Sequence, residues 1–171
     1  MINLIAAITY FPREDEFIIA VNGELPHTSP EDMDRFKKLT TGGVVIMGRK
    51  TYEAIGFKPL PDRTNIVLSR DPMFNLSNSI SLRSLGRALE IAPKYSSDIW
   101  IIGGGQVYEE AIAKDIPDRL YISEMKGHFE GKATEIVTFP RVNMGNYKAL
   151  YIEQFEDHVL KILSKESLDV L

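Results

Sequence analysis

Apolar runs alternate with amphipathic segments along most of the chain. Runs rich in Val, Ile and Leu predict strands, and apolar positions spaced three to four residues apart predict helices. The predicted strands lie near residues 2–8, 44–48, 64–69, 78–82, 98–103 and 118–125. The predicted helices lie near residues 30–41, 50–56, 84–92 and 105–113. This alternation is typical of βαβ units.

The apolar pattern of the strands predicts the fold class. The runs GVVIMG, NIVLS and DIWIIGG are apolar on both faces, which is the pattern of parallel strands covered by helices on either side. Segments 148–156 and 158–164 lie close enough to form a terminal antiparallel hairpin. We therefore predict one α/β domain over residues 1–171, with a central mixed, mostly parallel sheet flanked by helices on both faces and a C-terminal hairpin. Residues 9–28 are predicted to be a long connection, and such connections are often lids.

Composition excludes several classes of function. The chain has 171 residues with 20 basic and 24 acidic side chains, which provides no broad basic surface for nucleic acid or anionic lipid. The absence of cysteine excludes disulfides, thiolate metal sites and cysteine nucleophiles, and three scattered histidines predict no metal site. No stretch is long enough to span a membrane, and the apolar start MINLIAAI is interpreted as a strand rather than an export signal. We expect a cytoplasmic protein with no nucleic-acid or membrane partner.

Asp32 is unusual within the segment SPEDMDRF. Ser29 and Pro30 are typical of a helix start, but on a helix Asp32 shares the expected inward face with Met33 and Phe36. A capping box with Ser29 is one interpretation, because Ser-x-x-Asp is close to that motif. A functional carboxylate is the other. A lone carboxylate in apolar surroundings is harder to ionise, which suits it to proton transfer.

Two glycine-rich stretches indicate a possible phosphate site. Gly103, Gly104 and Gly105 follow an apolar strand and begin a helix whose first N–H groups are free to bind an anion. The stretch is not the GxGxxG fingerprint, and a tight strand-to-helix turn is the alternative. The stretch GGVVIMGRKTYEAIG resembles a P-loop in spacing, but its middle is a buried strand, so we reject that interpretation.

Basic and hydroxyl side chains follow two predicted strands. Parallel neighbours would bring these residues to one sheet edge, where open α/β sheets bind ligands. An anion site and an ordinary solvated set of charges are both compatible with the spacing. The residues are Arg49, Lys50, Thr51, Ser69 and Arg70.

Seven motifs together resemble the dihydrofolate reductase family, in that family's order and close to its usual spacing. They cover residues 1–125 well and the remainder loosely. The motifs are MINLIAAI, IIAVNGELP, SPEDMDRFKKLT, VVIMGRKTYEAIG, LPDRTNIVLSR, IWIIGGGQVYEEAI and DRLYIS. The resemblance implies a monomeric oxidoreductase of one-carbon metabolism that reduces 7,8-dihydrofolate to tetrahydrofolate with NADPH.

The resemblance also implies roles for individual residues. Asp32 matches the carboxylate that binds the pteridine ring and assists protonation of N5, with Tyr108, Ser123 and His27 as further catalytic positions. Arg63 matches the arginine that pairs with the α-carboxylate of the substrate's glutamate. The other substrate-binding positions are Ile5, Ala6, Ala7, Met33, Phe36, Ile55, Leu60 and Ile102. The implied cofactor positions are Ala7, Ile19, Gly48, Arg49, Lys50, Thr51, Leu68, Ser69, Arg70, Ile102, Gly103, Gly104, Gly105, Gln106, Val107 and Tyr108, with a cis peptide between Gly103 and Gly104.

Departures from the family pattern leave two other functions open. His27 replaces the usual tryptophan, Ala20 replaces the usual glycine after the isoleucine of the lid, and Gln106 stands where a basic residue is common. A reductase of a riboflavin-pathway pyrimidine is one alternative, although it has no evident need for Asp32 or Arg63. A ligand-binding or assembly protein that keeps the fold without catalysis is the other.

Overall fold

A computed structural model describes residues 1–71, 78–131, 135–142 and 145–165 of the chain. These residues form ten strands: β1 (Ile2–Phe11), β2 (Glu16–Val21), β3 (Val44–Gly48), β4 (Thr64–Leu68), β5 (Ile80–Leu82), β6 (Ile99–Ile101), β7 (Arg119–His128), β8 (Ile136–Thr138), β9 (Tyr147–Gln154) and β10 (His158–Lys165). They also form four α-helices: α1 (Pro30–Thr40), α2 (Arg49–Ala54), α3 (Leu85–Ile91) and α4 (Gly105–Ala113). A short 3-10 turn over Ala92–Lys94 follows α3.

The strands form one mixed sheet in the order β5-β4-β3-β6-β1-β7-β10-β9. From β5 to β7 the neighbouring strands are parallel. The last pairs, β7 with β10 and β10 with β9, are antiparallel. The predicted mixed sheet and the predicted C-terminal hairpin are therefore confirmed.

Local sequence signals account for the ends of the helices. Helix α1 begins after Ser29, whose hydroxyl accepts the Asp32 N–H, and Pro30 occupies the first helical position. Helix α3 begins in the same way after Ser84, which accepts the Arg87 N–H. Among the helices described, each is too short or too polar to cross a lipid bilayer.

The sheet separates two apolar clusters because side chains alternate along each strand. On β1, Leu4, Ala6 and Ile8 pack into the larger cluster, which includes Leu120 and Ile122 of β7. Ile5 faces the other side and packs against a smaller cluster formed by Val45, Met47, Tyr52, Val67 and Trp100. Each face of the sheet therefore packs against its own apolar cluster.

The prediction of a long connection over residues 9–28 is wrong. Strand β1 continues to Phe11, and β2 pairs with it antiparallel through a turn at residues 12–15. The hairpin was not predicted because the charged residues PREDE at its turn resemble part of a longer loop. Strand β8 was also missed, and it pairs with β2. Asn22 and Gly23 do form a turn, with positive φ at both positions and hydrogen bonds between Val21 and Glu24.

Candidate active site

Asp32 occupies the first turn of α1 and faces strand β7. Its Oδ1 accepts a hydrogen bond from the Ser123 hydroxyl at 2.5 Å and pairs with Arg35 Nη1 at 3.0 Å. The Asp32 side chain is 17% exposed. Among the described residues, Oδ2 has no hydrogen-bond partner. One carboxylate oxygen is thus engaged by the protein, and the other is left for a ligand.

Two expectations about Asp32 are corrected by this geometry. Met33 is 57% exposed, so Asp32 does not share a buried apolar face with it. The carboxylate is also not alone, because a guanidinium lies beside it. Ser29 caps the helix as predicted by accepting the Asp32 N–H at 3.2 Å, but the Asp32 carboxylate bonds to Ser123 and Arg35 instead of completing the capping box.

The parallel pairing of β1 with β7 determines which β1 residues of the predicted substrate pocket lie near Asp32. Ala7 lies in register with Ser123, which contacts Asp32. Ile5 is two residues earlier on the same face, and Ala7 and Ile5 therefore point toward the Asp32 side of the sheet. Ala6 points to the opposite face and packs in the larger core cluster, so only its backbone is available to a ligand on the Asp32 side.

The remaining apolar positions predicted to bind substrate differ in exposure. Phe36, Leu60 and Ile102 are half-buried, and Ile102 and Leu60 pack against the smaller apolar cluster. Ile55 and Met33 are exposed. Met33 follows Asp32 in the chain, and exposed apolar side chains offer contact area to a flat aromatic ligand.

Arg63 is anchored at the far end of α1. Its Nη1 donates to the Thr40 hydroxyl at 3.1 Å and its Nε donates to the Pro61 carbonyl at 2.8 Å. Partial burial lowers the pKa of the Arg63 guanidinium from its usual value, although the group remains a cation. Thr40 lies eight positions after Asp32, so the helix separates the two charged sites by about 12 Å. The carboxylate and the guanidinium can therefore bind opposite ends of one elongated ligand.

The triple-glycine corner lies beside the end of β3. The Gly103–Gly104 peptide is cis, as the resemblance implies. Gly48 N–H donates to the Gly103 carbonyl at 2.8 Å, and a Cβ on Gly104 would lie 3.2 Å from the Thr51 hydroxyl. No side chain caps the N-terminus of α4, which begins at Gly105. Its first N–H groups are therefore available to an anion.

The predicted cationic residues do lie at one edge of the sheet. Gly48 and Leu68 are in register at the ends of the parallel strands β3 and β4, so Arg49 and Ser69 follow neighbouring strand ends. Arg49 pairs with Glu53 at 3.2 Å and with Asp71 at 3.5 Å. Lys50 and Arg70 are exposed. The cationic edge and the glycine corner are contiguous, because Thr51 belongs to both.

Other predicted cofactor positions surround the glycine corner. A Cβ on Gly105 would lie 4.0 Å from Ile19, and a Cβ on Gly48 would lie 3.3 Å from Val107. Gln106 is exposed. Tyr108 is buried, its ring lies against Gly103, and its hydroxyl donates to the Ile5 carbonyl at 2.7 Å. Burial raises the pKa of Tyr108 well above its usual value, so the hydroxyl stays protonated and links the corner to β1.

His27 is not brought into this site. The imidazole is exposed in the loop before α1. It forms no hydrogen bond or ion pair with the residues that the structure describes. Among the residues that the structure describes, no three His, Cys, Asp or Glu side chains lie close enough together to hold a metal ion.

Two residues of the site were missed by the sequence analysis. Arg35 contacts Asp32 from one helical turn away, a spacing at which opposite charges commonly pair. That signal was available in the sequence. His158 is buried on β10 with Nε2 3.0 Å from Arg35 Nη1. A separation of 123 residues between the two partners left no local signal for this contact.

A cleft of about 780 Å³ lies on the other face of the sheet and reaches Gly105 of the glycine corner. Its lining includes Ile122, Glu124 and Lys161, while Ser123 between them faces Asp32. The cleft carries four acidic side chains beside two cations, in contrast to the cationic edge at β3 and β4. We therefore place the candidate active site around Asp32 and the glycine corner.

The Ser29 cap connects the stability of α1 to the position of Asp32. We expect Ser29→Ala to lower the free energy of unfolding by about 1 kcal/mol, since one N-terminal N–H loses its acceptor. Ser84→Ala removes the equivalent cap of α3, where Ser84 is exposed, and is the matched control. Urea unfolding of both variants checks the stability. The expected result is a larger loss of unfolding free energy in Ser29→Ala, because the buried Ser29 hydroxyl also lies 3.5 Å from His158 Nδ1. Dihydrofolate affinity should fall only in Ser29→Ala, and equal affinities would contradict the connection.

Comparison with known proteins identifies the family of this site. The sequence model of dihydrofolate reductase matches residues 1–162. The chain belongs to the dihydrofolate reductase family. The predicted membership, and with it the predicted class of oxidoreductase enzyme, is confirmed.

Individual members of the dihydrofolate reductase family are similar over most of the chain. Dihydrofolate reductase of Bacillus subtilis is 35% identical over 144 residues, covering 84% of this chain and 81% of that protein. A bifunctional dihydrofolate reductase-thymidylate synthase of Paramecium tetraurelia is 40% identical over 100 residues. The matched region covers 57% of this chain and 21% of that protein. The structure of dihydrofolate reductase from Enterococcus faecalis, complexed with NADP(H) and RAB-propyl, has a TM-score of 0.79, 26% identity, and coverage of 97% of this chain and 96% of that one.

Proposed function

We propose that this protein reduces 7,8-dihydrofolate to 5,6,7,8-tetrahydrofolate with NADPH. The observation that carries the proposal is the half-buried Asp32 carboxylate, held on one oxygen by Ser123 and Arg35, on the side of the sheet toward which the Ile5 side chain points. Tyr108 packs in the larger cluster on the opposite face and donates its hydroxyl to the Ile5 carbonyl. Through Tyr108 this pocket adjoins the glycine corner. Membership of the dihydrofolate reductase family supports the same activity.

The overall reaction consumes one NADPH and one proton for each dihydrofolate and yields NADP⁺ and tetrahydrofolate. When bound, NADPH would supply the hydride that reduces the pteridine ring, and N5 would take the proton. Asp32 accepts hydrogen bonds from the pteridine amino group and the neighbouring ring N–H, and it assists the protonation of N5 through water. Ser123 and Tyr108 contribute orientation, because neither needs to lose a proton.

The surroundings of Asp32 fit the rest of a folate substrate. Phe36, Leu60 and Ile55 provide apolar contacts for the pteridine and benzoyl rings. Arg63 pairs with the α-carboxylate of the glutamate tail, a task for which the planar guanidinium is suited. Its anchoring to Thr40 and Pro61 holds the guanidinium in place before the substrate binds.

The residues at the cationic edge fit NADPH. The uncapped N-terminus of α4 offers backbone donors to the pyrophosphate. A Cβ at Gly105 would lie 2.5 Å from Val137, so this corner has no space for a larger residue. Lys50, Thr51, Ser69 and Arg70 offer charge and hydroxyl contacts to the phosphates, including the 2′-phosphate that distinguishes NADPH from NADH.

A single assay tests the proposal. NADPH consumption is followed at 340 nm, the absorption of reduced nicotinamide, with and without dihydrofolate, and NADH replaces NADPH in a parallel series. We expect consumption only with dihydrofolate and a higher kcat/KM with NADPH. A thermal shift with NADPH but no consumption would favour a non-catalytic ligand-binding protein. Consumption with a pyrimidine substrate of the riboflavin pathway instead of dihydrofolate would favour the other reductase. The monomeric state and the cytoplasmic location stay predictions.

A further inference from the structure

The C-terminal hairpin contributes a buried histidine next to the candidate active site. His158 opens β10 and is fully buried. Its register partner is Met125 of β7, two residues after Ser123, so the imidazole lies on the Asp32 side of the sheet. Its ring stacks on Phe155, with centroids 4.7 Å apart and planes 7° apart. The proposed reaction assigns no task to this histidine.

Each ring nitrogen of His158 has a partner that determines its proton. Nε2 lies 3.0 Å from Arg35 Nη1, and a guanidinium can only donate, so Nε2 is the acceptor. The proton therefore sits on Nδ1, which donates to the Asp157 carboxylate at 2.6 Å. This bond, together with a bond from Ser29, lowers the pKa of Asp157 below its usual value and keeps it an acceptor. These two contacts together favour the tautomer with the proton on Nδ1.

Arg35 connects this histidine to the carboxylate. Its Nη1 carries two hydrogens, and the two acceptors within reach are Asp32 Oδ1 and His158 Nε2, each at 3.0 Å. The guanidinium also lies over the Phe155 ring, 4.4 Å from its centroid. The guanidinium is therefore held by two contacts from the hairpin, and it in turn holds one oxygen of Asp32.

We propose that His158 is a positioning residue for Asp32 and acts through Arg35, which makes the C-terminal hairpin part of the active site. The inference rests on the proposed function. Its physical content is that a long, flexible arginine side chain fixes a carboxylate only when the arginine itself is fixed. Without His158, Nη1 loses its second acceptor and Arg35 is free to rotate away from Asp32 or across the oxygen that the pteridine requires.

Two substitutions of His158 separate positioning from packing. His158→Phe keeps a flat ring against Phe155 but removes the acceptor for Arg35. His158→Gln places an amide oxygen near the former Nε2 and so keeps that acceptor. Lys161→Gln is the matched control, because Lys161 lies on the same strand, faces the opposite side and loses a pair with Glu124 of 2.9 Å.

The measurements are the single-turnover rate of NADPH oxidation at saturating dihydrofolate, the Kd of NADPH, and the free energy of unfolding. We expect His158→Phe to slow the rate by about tenfold to a hundredfold, since a displacement of about 1 Å in a reacting group has effects of this size. We expect His158→Gln to stay within about threefold of the wild-type rate, and the NADPH Kd to stay within about twofold in all variants. In an Arg35→Met background, His158→Phe should cause no further loss, because it acts only through Arg35.

Several results would overturn the inference. A wild-type rate in His158→Phe, or an equal loss in His158→Gln and His158→Phe, would remove the role of His158 while leaving the proposed function intact. A wild-type protein that does not oxidise NADPH with dihydrofolate would remove the proposed function and this role with it. The ¹⁵N shifts of the His158 ring in the wild-type protein need no variant to fold, and a protonated Nε2 would exclude the bond from Arg35.

Discussion

Asp32→Asn is expected to abolish nearly all dihydrofolate-dependent turnover while NADPH binding stays close to wild type. Asparagine keeps the size of the side chain and an oxygen that can accept from Ser123, which lies 2.5 Å from the carboxylate. It loses the negative charge that we assign to binding the pteridine amino and ring N–H groups, and it cannot exchange a proton. Loss of a positioned acid-base group typically lowers rates by about 100-fold to 10,000-fold, so we expect kcat/KM to fall within that range.

Asp34→Asn is the matched control for this variant. Asp34 lies two residues later on the same helix and forms an exposed pair with Lys38 at 2.8 Å. Steady-state rates and NADPH titrations of both variants, with urea unfolding to detect any loss of stability from an unpaired Arg35, complete the measurement. Turnover in Asp32→Asn within a few-fold of Asp34→Asn would remove Asp32 from the mechanism.

Arg63→Leu is expected to weaken dihydrofolate binding without weakening the binding of an analogue that lacks the glutamate. Leucine removes the guanidinium that we assign to the α-carboxylate. A hydrogen bond to a charged group contributes about 1.5–3 kcal/mol, so we expect the dihydrofolate Kd to rise by about tenfold to a hundredfold. The dihydropteroate Kd and the rate at saturating substrate should change little, because the pteridine end of the site is about 12 Å away along α1.

The control for Arg63 is Lys58→Leu, which removes an exposed cation from the preceding loop. Both variants remove one positive charge from a chain whose formal net charge is −4, so a general electrostatic effect on an anionic substrate would appear in both. Titrations with dihydrofolate and dihydropteroate check the assignment. An equal loss of affinity for the two ligands in Arg63→Leu would show that Arg63 supports the pocket rather than the glutamate.

Much of the fold was predictable because its signals are local or depend on the sheet as a whole. The cap at Ser29 and the proline after it mark the start of α1, and both lie within the segment they organise. The fully apolar run at residues 44 to 47 requires cover on both faces, which predicts a central parallel strand. Strand β8 escaped prediction because it has three residues and pairs with a strand far away in the chain. Strand β2 escaped because the charged residues of the turn that joins it to β1 resemble a loop.

The candidate site was predictable to a smaller extent. Parallel strands end at the same sheet edge, so the proximity of Arg49 and Ser69 followed from the topology alone. The side chains that surround Asp32 could not be predicted from the sequence or from the topology. A helical wheel predicts which residues share a face, but it does not predict that Met33 is exposed or that Ser123 and His158 approach from strands β7 and β10.

The sequence by itself determined the βαβ order, the capped start of α1, the terminal hairpin and, through its ordered motifs, the family. Only the tertiary structure decided how the charge of Asp32 is compensated, which of its oxygens is free, and that a histidine 126 positions away lies 3.9 Å from it. The physical reason is range. Capping, helical periodicity and strand alternation act over a few residues, whereas the partners of a half-buried charge are set by whichever distant strands pack against it.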